Sequence, residues 1–279
     1  MTSPRRLAFL GPARTHSEQA CLNYDPEATL VPFPSIRAAA AAVDSGVADE
    51  AMVPIENSLE GSVTNTLDLL IHDSRLFIRD ELVLPIKNFL MARDGARMED
   101  IKAIYSHPQA LAQCRSFLSR SFPTAELVAS MSTSAAVEQV LAREPDSAAI
   151  ATERASVYYG APILAREIDD NPNNMTRFVV LAREDHPHTG TDKTSVCFSF
   201  DEDAPGILQA ALGEFASRGI NLTKIESRPT RQSLGRYVFL VDLEGHRQEA
   251  VVAEALDSVR RLVSMLKVFG SYPKYTLPC

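Results

Sequence analysis

Four polar clusters interrupt the apolar pattern of the first ~180 residues, each just after a short apolar run or at the start of one. Gly11-Pro12-Ala13-Arg14-Thr15 stands between a strand-like and a helix-like segment. A loop in that position offers free N–H groups to an anion, or it is a plain turn with a capping Thr. Glu56-Asn57-Ser58-Leu59-Glu60-Gly61-Ser62 follows Val53-Pro54-Ile55 and reads either as a carboxylate-binding loop or as a capped turn. Ser106-His107-Pro108-Gln109 opens a helix at Pro108, and Gln109 and Gln113 share one face of it. Ser106 and His107 are not read as a nucleophile and its base, because sequence neighbours rarely point at each other. The fourth cluster, Asn171 to Phe178, is a turn-rich approach to a strand, on which Thr176 and Phe178 face one side and Arg177 the other. Hydroxyls, amides and cations at strand ends suit anion binding and hydrogen-bond donation.

The elements that must position these clusters alternate. Strands are expected at Arg6–Leu10, Thr29–Pro32, Ala51–Pro54, Ile101–Tyr105, Ala125–Ala129, Ala148–Ala151 and Arg177–Leu181, with a longer extended region over Leu76–Met91. Helices are expected at Thr15–Leu22, Ser35–Val43, Pro108–Leu118 and Ser134–Ala142, the first with capping-box spacing between Thr15 and Glu18. Strands alternating with helices imply mainly parallel sheets, whose ligands sit beyond the carboxyl ends of the strands. Ala182 to Asp192 is polar, with Pro187 and Gly190, and reads as a linker. After it come a strand (Thr194–Phe200), a helix opened by Pro205-Gly206, strands at Asn221–Ser227 and Tyr237–Val241 with Gly235 at the turn, a helix (Gln248–Leu262) and a strand (Met265–Phe269). That is the split β-α-β-β-α-β arrangement. The expected fold class is α/β, with domains at 1–182 and 193–279 joined by a linker at 183–192.

Composition excludes several classes. The 279 residues are 45% hydrophobic and 23% charged, ordinary for a globular protein of about two domains. The net charge of −8 argues against a general nucleic-acid binder. No apolar run approaches the ~18 residues of a membrane span, and Leu7–Leu10 is too short for a signal-peptide core. Cys21, Cys114, Cys197 and Cys279 are far apart and read as reduced thiols of a cytoplasmic protein. The histidines are scattered, apart from His186 and His188 in the polar stretch, so no metal site is expected.

The clusters also spell a resemblance. Gly11-Pro-x-x-Thr15-x-Ser17-Glu-Gln-Ala20, Val53-Pro-Ile-Glu-Asn57-Ser58, Ser106-His-Pro-Gln109, Thr176-Arg-Phe178 and Gly219-Ile-Asn-Leu-Thr-Lys-Ile-Glu-Ser-Arg-Pro229 run in order from about residue 6 to 274. Together they resemble the prephenate dehydratase family. The resemblance implies a two-lobed, periplasmic-binding-protein-like catalytic domain followed by a ferredoxin-like ACT domain. It implies conversion of prephenate to phenylpyruvate in phenylalanine biosynthesis, with feedback inhibition by phenylalanine and no cofactor. Thr176 is carried over as the acid or hydrogen-bond donor at the leaving hydroxyl, with Asn57, Ser106 and Gln113 as polar partners. Thr15, Ser58 and Arg177 are carried over as substrate-binding residues, with Arg177 either on a substrate carboxylate or holding the fold. Gly206, Ile207, Leu208, Asn221, Leu222, Glu226, Ser227 and Arg228 are carried over as the phenylalanine site, enclosed between paired subunits of a homodimer or homotetramer. Some relatives carry an N-terminal chorismate mutase domain, for which the few residues before the first strand leave no room here. The family has Gly and Phe around the Thr of its first motif, where this chain has Arg14 and His16, and Ala where it has Ile207. The alternatives are arogenate dehydratase, identical in chemistry, and a non-catalytic amino-acid sensor.

Overall fold

A computed structural model describes residues 4–143, 145–201, 204–230 and 236–276. Asp203, the Gly235 turn and Cys279 lie outside the described residues. The strands are β1 (Arg6–Leu10), β2 (Thr29–Phe33), β3 (Glu50–Asn57), β4 (Gly61–Ser62), β5 (Phe77–Pro85), β6 (Phe89–Ala92), β7 (Ala103–Ser106), β8 (Glu126–Ala129), β9 (Ser147–Ala151), β10 (Ile163–Ala165), β11 (Met175–Ala182), β12 (Asp192–Ser199), β13 (Leu222–Pro229), β14 (Tyr237–Glu244) and β15 (Met265–Pro273). The helices are α1 (His16–Tyr24), α2 (Ile36–Asp44), α3 (Thr64–Asp68), α4 (Pro108–Gln113), α5 (Arg115–Ser121), α6 (Thr133–Leu141), α7 (Glu153–Tyr159), α8 (Ile207–Ala216) and α9 (Ala250–Leu262).

Three sheets result. The first runs β2-β1-β3-β11-β5 with β4 hairpinned onto β3, the second β10-β6-β9-β7-β8, and the third β13-β14-β12-β15. The fold is mixed α/β, as the alternation of elements implies. Parallel pairing holds for β1 with β2 and for β7 with both β8 and β9. β6 departs from it: the chain reaches β6 straight from β5 with no helix between, and β6 runs antiparallel to β9 and β10. The third sheet is antiparallel throughout and carries α8 and α9, which is the expected β-α-β-β-α-β unit.

Internal contacts gather the chain into two units. The first comprises Met1–Ala39, Met52–Val63 and Val83–Phe178. The central strands β6, β7 and β9 of its second sheet are buried on both faces, and their successive residues alternate between two apolar clusters. Leu90, Ala92, Ile104, Ala148 and Ile150 pack on one side with Leu118 and Phe122; Phe89, Met91, Tyr105, Ala149 and Ala151 pack on the other with Val137 and Val140. The expected single helix over Pro108–Leu118 is two helices that break at Cys114, which is fully buried.

The second unit comprises Ala40–Ala51, Thr64–Leu82 and Val179–Cys279. Val196, Phe198, Phe215, Val241, Leu243, Leu256 and Val259 form the core beneath its antiparallel sheet. The polar segment after β11 is tied down within this unit. Arg183 Nη2 donates to Val43 O at 2.7 Å, and Arg247 pairs with Asp185 at 2.8 Å. Lys193 and Glu81 form a nearly buried ion pair at 2.8 Å. Lys267 on β15 donates to Leu70 O at 2.6 Å and Ser74 O at 2.8 Å, around a short π-helical turn at Leu69–Asp73 that follows α3. A cation at the end of a helical run satisfies carbonyls that have no intrahelical partner, and burial pushes the Lys267 ammonium below its ordinary range. Lys267→Met strands those carbonyls and should lower unfolding stability by about 2 kcal/mol, the scale of hydrogen bonds from a charged donor. A denaturant melt beside the parent protein measures it, and an unchanged midpoint would contradict this role for Lys267.

Candidate functional site

β3 ends in Asn57, where the chain turns into the β4 hairpin. Asn57 Oδ1 accepts from the backbone N–H of Leu59 at 3.0 Å and of Glu60 at 3.1 Å, an Asx turn that fixes the amide plane. Its Nδ2 therefore points the other way, to Asn174 Oδ1 at 2.8 Å, Thr176 Oγ1 at 3.0 Å and Met175 O at 3.2 Å. Thr176 is buried near the start of β11, beside Phe178 on the inner face, while Arg177 faces away and meets Glu56 at 3.6 Å. The Thr176 oxygen accepts from Asn57, and among the described residues no group takes the Thr176 proton. A buried hydroxyl held by its oxygen with its proton free is arranged to donate.

The other expected residues stand in different surroundings. Ser58 is fully engaged: Ser58 Oγ donates to Asn173 O at 3.1 Å and accepts from Met175 N at 3.0 Å, which pins the hairpin to the approach of β11. Ser106, at the end of β7, has no exposed surface and donates to Ile150 O at 2.7 Å, so only its oxygen is left to interact with anything else. Gln113, at the end of α4, lies 3.4 Å from Glu60 Oε1 and accepts from Asn88 Nδ2 at 3.5 Å. Asn88 in turn donates to Asp169 through Nδ2 at 2.5 Å and through its backbone N at 2.7 Å. Burial pushes the Asp169 carboxyl up, against the pull of those two bonds. Asn88 and Asp169 escape a reading by spacing, whereas Glu60 and Asn174 lie inside the second and fourth polar clusters without being singled out there.

The expected capping box at α1 does not form. Thr15 Oγ1 donates back to Pro12 O at 3.0 Å, and Glu18 accepts from Arg14 N at 3.0 Å and from Arg154 Nε at 2.8 Å. The cause lies at Arg14, whose φ of 68° turns the chain before the helix begins. Its guanidinium stacks 3.4 Å from the Tyr158 ring centroid and donates to the Tyr159 hydroxyl at 3.2 Å, while Thr152 Oγ1 donates to Arg14 O at 3.2 Å. Arg14 and Glu18 thus fasten the first loop to α7. Next to them, burial pushes the His16 imidazole down to about 4. A histidine held neutral in the fold contributes its stability above the unfolded pKa of about 6.5 and loses it as pH falls toward 4, on the order of 2 kcal/mol. The unfolding midpoint should therefore drop between pH 7 and 4.5, and His16→Phe should flatten that drop; identical pH curves for the two proteins would contradict it.

In the second unit, Gly206 caps α8 with φ 86°, which puts Ile207 and Leu208 in the first helical turn. Asn221 and Leu222 open β13, which is an edge strand. Arg228 pairs with Asp68 at 3.4 Å and with Glu226 at 3.6 Å, and Ser227 is exposed between them. Of these residues only Asn221 lines the ~440 Å³ cavity formed by Thr191, Arg218, Gly219, Glu244 and Lys274 with their neighbours. His188, Asp192 and Glu249 gather their polar atoms nearby. Those of the two acids already serve a turn: Asp192 accepts from Thr189 N, Gly190 N and the Thr189 hydroxyl at 2.6–3.0 Å, and Glu249 from His246 N at 2.6 Å.

The sequence model of the family described as Prephenate dehydratase matches residues 7–186, and that of the ACT domain matches residues 202–261. A bifunctional chorismate mutase/prephenate dehydratase of Aquifex aeolicus is 42% identical over 273 residues, covering 98% of this chain and 74% of the relative. The solved structure of a prephenate dehydratase from Arthrobacter aurescens in complex with L-Phe superposes with a TM-score of 0.88 at 40% identity, covering 96% of this chain and 90% of that one. A second solved structure, GqqA, described as a novel type of quorum quenching acylase, superposes with a TM-score of 0.85 at 32% identity over 97% and 98% of the two chains.

Proposed function

The chain belongs to the prephenate dehydratase family, and we propose that the Thr176–Asn57 pair carries the family's reaction in it. The chain is an enzyme, a carbon–oxygen lyase that converts prephenate to phenylpyruvate in phenylalanine biosynthesis. Prephenate becomes aromatic by losing its ring carboxylate and ring hydroxyl. The C–C bond to the carboxylate breaks, its electron pair enters the ring, the C–O bond breaks, and the departing hydroxide takes a proton to become water. The electrons move within the substrate, so what the protein must supply is a donor at the leaving oxygen and fixed partners for the carboxylates.

The observation that carries the assignment is the free proton on a buried, oriented Thr176 hydroxyl. Thr176 donates a hydrogen bond to the leaving hydroxyl, and Asn57 holds the Thr176 oxygen in place. Thr is too weak an acid to give up its proton outright, so the proton that completes water comes from solvent through this hydrogen bond. Ser106 and Gln113, at the ends of β7 and α4, are assigned as polar partners in the reaction, and Thr15, Ser58 and Arg177 as substrate-binding residues. Arg177 already has Glu56 as a partner, which favours the fold-holding side of its two readings. We place the two domains at 1–182 and 193–279, a reading supported by one family match over residues 7–186 and another over residues 202–261.

The L-Phe bound to the relative and the ACT match support phenylalanine as effector, taken by Gly206 to Leu208 and Asn221 to Arg228. Along the edge strand β13, Thr223, Ile225 and Ser227 are exposed in alternation, which supports side-by-side pairing in a homodimer or homotetramer. Buried free thiols at Cys21, Cys114 and Cys197 support a reducing, cytoplasmic setting. Among the described residues no helix is long and apolar enough to cross a membrane.

An acyl-transfer reading, prompted by the second solved structure, needs a nucleophile beside a base. Ser106 gives its proton to Ile150 O, and His107 Nδ1 accepts from Gln109 N at 3.3 Å at the start of α4. This arrangement lends that reading no support. Spectroscopic detection of phenylpyruvate from prephenate tests the function directly. Its absence would overturn the function, and kcat/KM on arogenate beside prephenate decides between the two substrates.

A further inference from the structure

Asn174 is 1% exposed, and its Nδ2 is a buried side-chain donor without a hydrogen-bond partner among the described residues. Its orientation follows from a chain of constraints. Leu59 N and Glu60 N hold Asn57 Oδ1, so Asn57 presents Nδ2 to Asn174, and only an oxygen can face it there. That leaves Asn174 Nδ2 on the other side of its amide, with two protons to give. The backbone is fixed as well: Ile86 N donates to Asn174 O at 2.8 Å, and Asn174 N to Asn171 O at 3.3 Å. Buried polar groups in folded proteins are almost always satisfied, so a rigid, unpartnered donor marks a place where an oxygen from outside the chain is received. Asn57 Nδ2 reaches both Asn174 Oδ1 and Thr176 Oγ1, which puts the Asn174 amide within one bridging group of the Thr176 hydroxyl.

Resting on the dehydratase reading above, we propose that Asn174 Nδ2 is a second donor to the leaving hydroxyl of the substrate, and forms with Thr176 a two-donor cradle for the oxygen on which negative charge develops. Two preorganised donors stabilise a departing hydroxide more than the neutral hydroxyl of the ground state, so the effect falls on kcat.

Asn174→Asp separates this role from support of Asn57, because it keeps an oxygen facing Asn57 Nδ2 and replaces the free donor by an acceptor. With prephenate near neutral pH, kcat should fall tenfold or more while KM changes less than about threefold. As pH is lowered the introduced carboxyl gains a proton and becomes a donor, so kcat of the variant should recover relative to the parent. A variant with the parent's kcat, or one whose loss is the same at every pH, would overturn the proposal. If Asn174→Asp does not fold, judged by circular dichroism, Asn174→Ala replaces it, and a kcat within twofold of the parent overturns the proposal. The parent protein assayed in parallel keeps the two readings apart. Failure of the parent on prephenate counts against the function, whereas an active parent with an equally active variant counts against Asn174 alone.

Discussion

Replacing Thr176 by Ala should lower kcat for prephenate by about 10²-fold or more, with a smaller change in KM. The side chain lost is one methyl and one hydroxyl at a buried position on β11, beside Phe178 and under Asn57. The fold tolerates the change, because the remaining partners of Asn57 Nδ2, Asn174 Oδ1 and Met175 O, are still in reach. What disappears is the donor that meets the leaving oxygen as its charge grows, an interaction stronger in the transition state than with bound substrate. Thr176→Ser keeps the hydroxyl but adds rotational freedom, because the β-methyl that restricts χ1 is gone, and should retain part of the activity. Steady-state kinetics on the three proteins decides it. A folded Thr176→Ala variant with near-parental kcat would show that the free proton on Thr176 is not used in the reaction.

The second large effect is inhibition by phenylalanine. Titrating phenylalanine should lower prephenate turnover several-fold to about a hundredfold, the range opened by a coupling of ~1–3 kcal/mol between two sites. Tyrosine and tryptophan at equal concentration serve as controls. The physical origin is a difference in affinity of the effector for two conformations, of which the less active one is better bound. Reciprocity then requires that a prephenate analogue weaken phenylalanine binding by the same factor, which calorimetry can measure. Gly206→Val should shift the inhibition curve to much higher phenylalanine concentration. A Cβ at Gly206 meets no atom within 4 Å, so this shift does not come from crowding within the chain; it comes from φ 86°, which a β-branched residue adopts only under strain. The start of α8 then moves, and with it the N–H groups proposed above for the effector's carboxylate. A flat response of the parent protein to phenylalanine, with no heat of binding, would remove the regulatory reading and leave the catalytic one intact.

The set of elements and the identity of the polar clusters are legible in local pattern alone. Period-2 and helical patterns placed most strands and helices of the first ~180 residues, because local apolar periodicity follows which face is buried. The same patterning marked the β-α-β-β-α-β unit after residue 192, and the alternation of Thr176, Arg177 and Phe178 came directly from the pleat. Short helices escaped it: α3 with its π-helical turn, and α7, carry too few residues for a period to show, and Lys267 from β15 and Arg14 from the first loop are what hold them. The capping box at Thr15 and Glu18 has the right spacing but does not form, because Arg14 turns the chain at φ 68° and Glu18 is engaged instead by Arg14 N and by Arg154, 136 positions away in sequence and 2.8 Å away in space. The same separation explains the site. Asn57 and Thr176 were both visible as polar residues at strand ends, yet nothing local could say that an amide 119 positions away would hold the threonine oxygen and leave its proton free. That decision belongs to the tertiary structure, which alone chooses the partners of a buried polar group and, at Asn174, leaves one donor unpartnered among the described residues.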